Sequence, residues 1–312
     1  MSFSQDVKNE ILHRKIVRSC CVTAAAYAVA CFGKYFDDRG VVLQTENEGI
    51  AQLAQKLYAR CGITGTVISK ERGTGLIYEF SVKDPEQVQK MLNLFGHTGR
   101  ETTLRIRPDC FKCQKCGSFF ISTAFLCCGT ATDPEKEYHL EFVLEDEAFA
   151  AALQRLIARF SLSAHLTKRR AMALVYLKGQ SEITDMLSIF GAQSARFAME
   201  DAYIRKELRN NANRAVNCDS ANVQRAVTAA SRQTEAIERV LAAKGRESLP
   251  PALRETAALR LAHPEMSLEE LGRLCDPPVG KSGINHRLRK LELMAQELDG
   301  QETAEHAGEG KA

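Results

Sequence analysis

Apolar residues recur at helical spacing along much of the chain, and the recurrence happens twice. In PEQVQKMLNLFG (85–96) and SEITDMLSIFGAQ (181–193), Val88, Met91, Leu92, Phe95 and Gly96 correspond to Ile183, Met186, Leu187, Phe190 and Gly191, each 95 positions later. Spacing of i, i+3, i+4, i+7 predicts a helix with one buried face, and the glycine predicts its C-cap. Upstream, ISKERGTGLIYEF (68–80) and LTKRRAMALVYLK (166–178) share Lys70/Lys168, Leu76/Leu174 and Tyr78/Tyr176 at an offset of 98. Both predict hairpins, with β-branched and aromatic residues flanking a turn. Before them, Ile50–Cys61 and Phe149–Phe160 carry apolar residues three and four apart, the pattern of amphipathic helices. Earlier still, apolar segments 21–32 and 119–128 run into Gly33 and Gly129. Each is followed by a turn, DDRG (37–40) or DPEK (133–136), and then by VVLQT or YHLEF. Both halves therefore spell helix, two strands, helix, two strands, helix. Agreement at five elements in one order predicts a pseudo-twofold α+β domain, with halves at 1–97 and 98–195 and their first helices packed at the axis.

Residues 196–247 read as a helical linker. In it Val223, Val227, Ala230, Thr234, Ile237 and Leu241 share one face, which is expected to pack on the domain that follows, with dimerisation as the alternative, and Gly245 stops the helix. The polar group Asn210, Asn211, Asn213, Arg214, Asn217 and Asn222 is expected to cap and pin the joint, with contact to DNA backbone as the alternative. Residues 248–298 predict a small all-α domain. A first helix opens at Pro250 or Pro251 and closes before Pro264. Ser267 and Glu270 form a capping box for a second. Asp276-Pro277-Pro278 makes a turn, and a last helix, capped by Ser282, buries Ile284, Leu288, Leu291, Ala295 and Leu298. The remainder, 299–312, is polar and expected to be disordered.

That last helix carries the clearest chemistry. Its outer side near the N-terminus presents Ser282, Asn285, His286 and Arg289, with Lys281, Arg287 and Lys290 alongside, and 281–290 contains no acid. A helix-turn-helix lays such residues in the major groove of double-stranded DNA, with Ser267 and Gly283 at its margin. Asn suits a bidentate contact with adenine and Arg one with guanine, whereas Lys281, Arg287 and Lys290 suit phosphates. Lys168, Arg169 and Arg170, with Lys178, and Lys70 and Arg72 opposite are secondary DNA-contact candidates on the sheets, or ordinary solvent-facing strand residues.

Composition adds limits. The net charge is only +3, so any nucleic-acid surface is local. No apolar run reaches the ~20 residues needed to span a bilayer, and MSFSQDVKNEILHRK has no signal-peptide core. The eleven cysteines include the vicinal pairs Cys20/Cys21 and Cys127/Cys128, usage expected of reduced thiols in the cytoplasm. Cys110, Cys113 and Cys116 form C-x2-C-x2-C, a spacing open to zinc or an iron–sulfur cluster with Cys127 or Cys128 as a fourth ligand. Small buried thiols are the preferred reading, so no cofactor is expected.

The repeated organisation resembles the LAGLIDADG homing-endonuclease fold, in which two αββαββα halves make a saddle over DNA. That resemblance implies an acid before the final glycine of each axis helix, because hard Mg²⁺ needs carboxylate oxygens. Here Ala30, Cys31 and Phe32 precede Gly33, and Leu126, Cys127 and Cys128 precede Gly129. Asp37, Asp38 and Asp133 lie beyond, in the turns. The scaffold is expected to be kept without its metal site, and the protein to be no enzyme. Four stretches are similar to the WhiA family of bacterial regulators: DPEKEYHLEF (133–142), RNNANRAVNCDSANVQRAV (209–227), SLPPALRETAALRLAHPEMSLEELG (248–272) and PPVGKSGINHRLRKLELMAQEL (277–298). Ser122 and Thr123 depart from that family's Arg-Gly. The resemblance implies a degenerate LAGLIDADG domain joined to a helix-turn-helix, and a transcriptional role in cell division, chromosome segregation or sporulation at the nucleoid. It implies promoter DNA as partner, with another transcription factor or RNA polymerase as a further one, and neither a membrane nor a small-molecule substrate. An interaction protein of the division or chromosome machinery is the alternative, and a divalent-metal endonuclease a more distant one.

Overall fold

The structure, a computed structural model, describes residues 2–309 except 73 and 74, and the side chains of all of these except Arg72 and residues 299–309. The chain forms two compact units, Met1–Leu208 and Arg209–Ala312.

The first unit opens with α1 (Phe3–His13). The first half then runs α2 (Ser19–Phe32), β1 (Tyr35–Asp37), β2 (Gly40–Thr45), α3 (Glu48–Arg60), β3 (Thr66–Arg72), β4 (Gly75–Val82) and α4 (Pro85–Phe95). The second half repeats it as α5 (Cys116–Cys128), β5 (Gly129–Ala131), β6 (Leu140–Leu144), α6 (Glu147–Ala158), β7 (His165–Arg169), β8 (Met172–Leu177) and α7 (Gln180–Phe190). Two antiparallel sheets of matching order result, β1-β2-β4-β3 and β5-β6-β8-β7. α2 and α5 pack against each other at the axis. Their composition explains the position: Ala24, Ala25, Ala26, Ala28 and Ala30 in α2 and Phe120, Ile121, Ala124 and Phe125 in α5 are all buried, so neither helix keeps a polar face. Tyr27 bridges the halves, its ring 5.2 Å from Phe95 and 5.6 Å from Phe120.

Local signals set the element ends. Asp84 accepts from the Gln87 amide with Pro85 beginning α4, and Asp146 accepts from the Phe149 amide to start α6. Gly96 (φ 68°) and Gly191 (φ 78°) close α4 and α7 in the left-handed region, as the paired sequences predict.

The hairpins match differently from the sequence expectation. Val82 pairs with Val41 and Phe80 with Leu43, while Leu177 pairs with Leu140 and Val175 with Phe142. β8 therefore corresponds to β4 at an offset of 95, not 98. Val67 lies opposite Phe80 and Leu166 opposite Val175, so β7 corresponds to β3 at 99. Lys70 is thus equivalent to Arg169 rather than Lys168. The second hairpin is two residues shorter in each strand, and shifts of three and one both exchange the faces of a strand.

Sequence reasoning also missed α1. Its Val7 and Ile11 are buried, and Glu10 accepts the Ser194 and Ala195 amides at 2.8 and 2.7 Å. Arg14 beyond it donates to Ile189 O (2.9 Å), Ser118 Oγ (3.3 Å) and Ser122 Oγ (3.4 Å), which fills the region around the departure at Ser122.

α8 (Gln193–Lys244) is one unbroken helix, beginning before the expected linker start at 196. Val223 and Val227 are exposed, and burial on its predicted face begins only near Ala230, with Ala236, Ile237 and Val240 fully inside the second unit. The asparagine group lies on the exposed stretch, so it does not pin a buried joint. α9 (Pro251–Ala262), α10 (Leu268–Arg273) and α11 (Lys281–Glu309) complete this unit. Their core is Leu253, Ala257, Leu271, Ile284, Leu288, Leu291 and Ala295. The backbone of α11 continues through 299–309, where disorder was expected; QETAEHAGE is rich in good helix formers.

Candidate nucleic-acid interface

The second unit is assembled by close backbone approaches. Ser267 Oγ accepts the Glu270 amide (3.3 Å) while Glu270 accepts the Ser267 amide (2.8 Å), so the predicted capping box is present and occupies Ser267. Gly272 lets the turn fold back: Val279 N donates to Gly272 O at 2.8 Å, and a Cβ on Gly272 would sit 2.0 Å from Val279 O. Arg260, which sequence reasoning passed over, is buried and donates to Pro264 O (3.2 Å) and Met266 O (2.8 Å), holding the α9–α10 connection. A lone Arg on an amphipathic helix gives no sequence signal for such a role.

α11 begins at Lys281, one residue before the expected cap, with Ile284 N bonded to Gly280 O at 3.1 Å. Ser282 therefore lies in the first turn. Ile284, Leu288 and Leu291 bury one side. Opposite, Lys281, Ser282, Asn285, His286, Arg289 and Lys290 are all exposed on rows four residues apart. Among the described residues, Lys281, Asn285, His286, Arg289 and Lys290 form no ion pair or side-chain hydrogen bond, so their donors face solvent. Gly283 is half-buried, and a Cβ there would meet Val279 Cγ1 at 2.4 Å, so its part is close packing.

Arg287 differs from the expectation that it holds phosphate. Its guanidinium turns toward α9 and lies 3.4 Å from Glu255 Oε2, 3.4 Å from Thr256 Oγ1 and 3.5 Å from Ala252 O. Two residues of helix, a little over half a turn, separate the exposed Arg289 from Arg287, which ties two helices.

The sheet candidates divide similarly. Lys70 is bonded to Glu79 at 2.9 Å on the open face of its sheet. Glu79 is buried, and bonds from Gln44 and Lys70 hold its carboxyl at about 2 against the cost of burial. Lys168 shares its face of β7 with Leu166, which packs on the core, and reaches Glu147 of α6 (3.5 Å), so it faces the helix layer rather than a groove. Arg169 and Arg170 are exposed at the β7 turn, where Arg170 takes φ 58°. The Arg72 side chain lies outside the described residues.

At the C-terminal ends of the axis helices, Cys31, Cys127 and Cys128 occupy the positions where the resemblance implies acids. Burial pushes the Cys127 thiol up to about 12, so it stays protonated at neutral pH. Lys8 of α1 sits half-buried beside it, with burial lowering its pKa and Cys127 and Cys128 opposing that shift. Its Nζ lies 5.8 Å from the centre of the Phe125 ring. Thiols and an ammonium are a poor donor set for a hard divalent cation.

The cysteine trio is not one group. Cys110 is buried with its thiol directed at Phe95 O (3.8 Å), whereas Cys113 and Cys116 join Cys20 and Cys21.

Two family models match. One described as the WhiA C-terminal HTH domain covers residues 212–295, and one described as the WhiA LAGLIDADG-like domain covers 117–209. A relative from Clostridium botulinum, described as a probable cell division protein WhiA, is 36% identical over 314 residues, spanning 96% of this chain and 99% of its own. A relative with the same description from Caldicellulosiruptor saccharolyticus is 35% identical over 96% of each chain. The crystal structure of full-length DUF199/WhiA from Thermatoga maritima aligns with a TM-score of 0.59 at 22% identity, over 95% of this chain and 99% of that one, which shows a shared fold.

Proposed function

This chain belongs to the WhiA family, and from that premise we propose that it is a non-enzymatic regulator of cell division that binds double-stranded promoter DNA through the exposed start of α11. The observation that carries this reading is the row of solvent-facing donors at Lys281, Asn285, His286, Arg289 and Lys290, backed by a helix side fully committed to the core. Presented to a major groove, Arg289 offers two parallel donors to the O6 and N7 acceptors of guanine. Asn285, one turn earlier, offers the donor–acceptor pair that adenine matches. Lys281 and Lys290 flank them and neutralise phosphates. Arg287 acts indirectly, by fixing α11 on α9.

The first unit, on this reading, is a scaffold that contacts DNA or a protein partner such as RNA polymerase or a second transcription factor. Absence of nuclease chemistry is supported by the Lys8, Cys127 and Cys128 donor set. A cytoplasmic, nucleoid-associated protein acting in division, chromosome segregation or sporulation follows from the family. Footprinting the full chain and its Arg289→Ala variant on genomic fragments tests the proposal. The expected result is a discrete footprint for the wild-type chain that Arg289→Ala loses while its circular dichroism is unchanged. An identical footprint for both proteins overturns it.

A further inference from the structure

Cys31 stands eleven positions after Cys20 in α2, so at ~1.5 Å per residue the starts of the axis helices lie ~16 Å from the ends that carry Cys31, Cys127 and Cys128. At those starts the two halves meet through sulfur. The Sγ atoms of Cys20, Cys21, Cys113 and Cys116 all lie within 4.8 Å of one another. Cys113 is 3.7 Å from Cys20, 3.6 Å from Cys21 and 3.5 Å from Cys116. We propose that these four thiols bind one Zn²⁺ as a tetrathiolate joining the start of α2 to the start of α5.

Three geometric facts converge on a single tetrahedral ion. With Zn–S near ~2.3 Å, the edges of a tetrahedral site measure ~3.8 Å, close to the separations seen. A disulfide needs ~2.05 Å, and all eleven cysteines are free. A [4Fe–4S] core fills the space between its ligands and holds them farther apart. The local chain also suits the task. Cys113-Gln114-Lys115-Cys116-Gly117 turns tightly, with Cys116 N bonded to Cys113 O at 3.0 Å. Cys20, Cys21 and Cys116 stand in the first turns of their helices, where the macrodipole favours thiolate. Cys21 and Cys116 are buried while Cys20 and Cys113 are partly exposed, which leaves an entry path. On binding, the thiols release their protons to solvent, and the resulting site of net charge minus two is offset by Arg14, Arg18, Lys112 and Lys115 in the adjoining segments.

Such an ion ties the two axis helices at the end opposite the lost nuclease site, and so holds the two sheets in register. Elemental mass spectrometry of the full chain purified under reducing conditions is expected to find one zinc ion per chain. Cobalt(II) replacing it should give thiolate charge-transfer and tetrahedral d–d bands. Cys113→Ser should lose both signals and Cys110→Ser should keep both. If Cys113→Ser does not fold, the cobalt spectrum of the wild-type chain decides, because its charge-transfer intensity scales with the number of thiolates. Intensity for fewer than four, no metal uptake, iron in place of zinc, or retention of metal by a folded Cys113→Ser variant overturns the proposal.

Discussion

The two sheets and the outer face of α11 carry the same kinds of basic side chain, but Lys70 and Lys168 are left in a different state from those of α11. On the first sheet, Lys70 is bonded to a buried carboxylate, and on the second, Lys168 is drawn to Glu147 on the helix side. On α11, Lys281, Arg289 and Lys290 stand exposed, Arg289 eight and Lys290 nine residues after Lys281, with no acid within 281–290. A cation already bonded to a buried carboxylate must give up that partner before it can hold a phosphate. A solvated one needs only to displace water and release counterions from the DNA. Counting Lys and Arg in sequence cannot separate these cases, because the difference lies in which acid the fold brings alongside.

The largest expected effect tests whether the α11 face depends on its support. Gly272→Ala forces a Cβ into Val279 O, a backbone atom with nowhere to move, and is expected to cost about 3 kcal/mol in the unfolding of the second unit. Denaturant titration read by circular dichroism would show it, and an unchanged midpoint would refute the close approach. Arg289→Ala is expected to remove ~1–3 kcal/mol of discrimination at one base pair without loss of fold. Selection from a randomised site library should then lose preference at that position; a retained preference moves the reading elsewhere.

Two neighbours on α11 sharpen the contrast further. Lys290→Ala should weaken binding evenly across sequences and reduce the slope of log affinity against log salt by about 1. Arg287→Ala should leave that slope alone and lower stability by about 1–2 kcal/mol, since it removes the cation beside Glu255 Oε2 and the tie between α9 and α11. Equal salt slopes for the two variants would mean that Arg287 also reaches phosphate.

The smallest effect concerns the paired side of the comparison. Glu79 is held at about 2 in the fold, below the ordinary value of 4.5, by Gln44 and Lys70. Between those values the unfolded chain binds the extra proton. The stabilisation is therefore complete above the ordinary value and is lost as pH falls through the folded one. Urea midpoints measured from about pH 5 to pH 2 should fall less steeply for Glu79→Gln than for the wild-type chain. Parallel acid limbs would show that the Lys70 bond does not persist in solution.

What could be read in advance was local. Gly96 and Gly191 and the Ser267–Glu270 box each act within a few residues, so their spacing alone specifies where helices begin and end. The repeat of two αββαββα halves was legible for the same reason, since each element announced its own period. Hairpin register was not. Matching residue types set Lys70 against Lys168, whereas pairing with the central strands sets it against Arg169. α1 was also hidden, because its few apolar positions acquire meaning only where the second half receives them.

The amino-acid order by itself determined the succession of elements, their caps and the side of α11 that turns away from the core, because these follow from backbone periodicity and near-neighbour bonding. Tertiary structure alone decided that Arg287 faces Glu255, that Lys70 is bound to Glu79, and that Cys20 and Cys21 meet Cys113 and Cys116 while Cys110 does not. Those partners lie from nine to about ninety residues apart. Which of them come within bonding distance is set by strand register and helix packing, quantities that no local pattern contains.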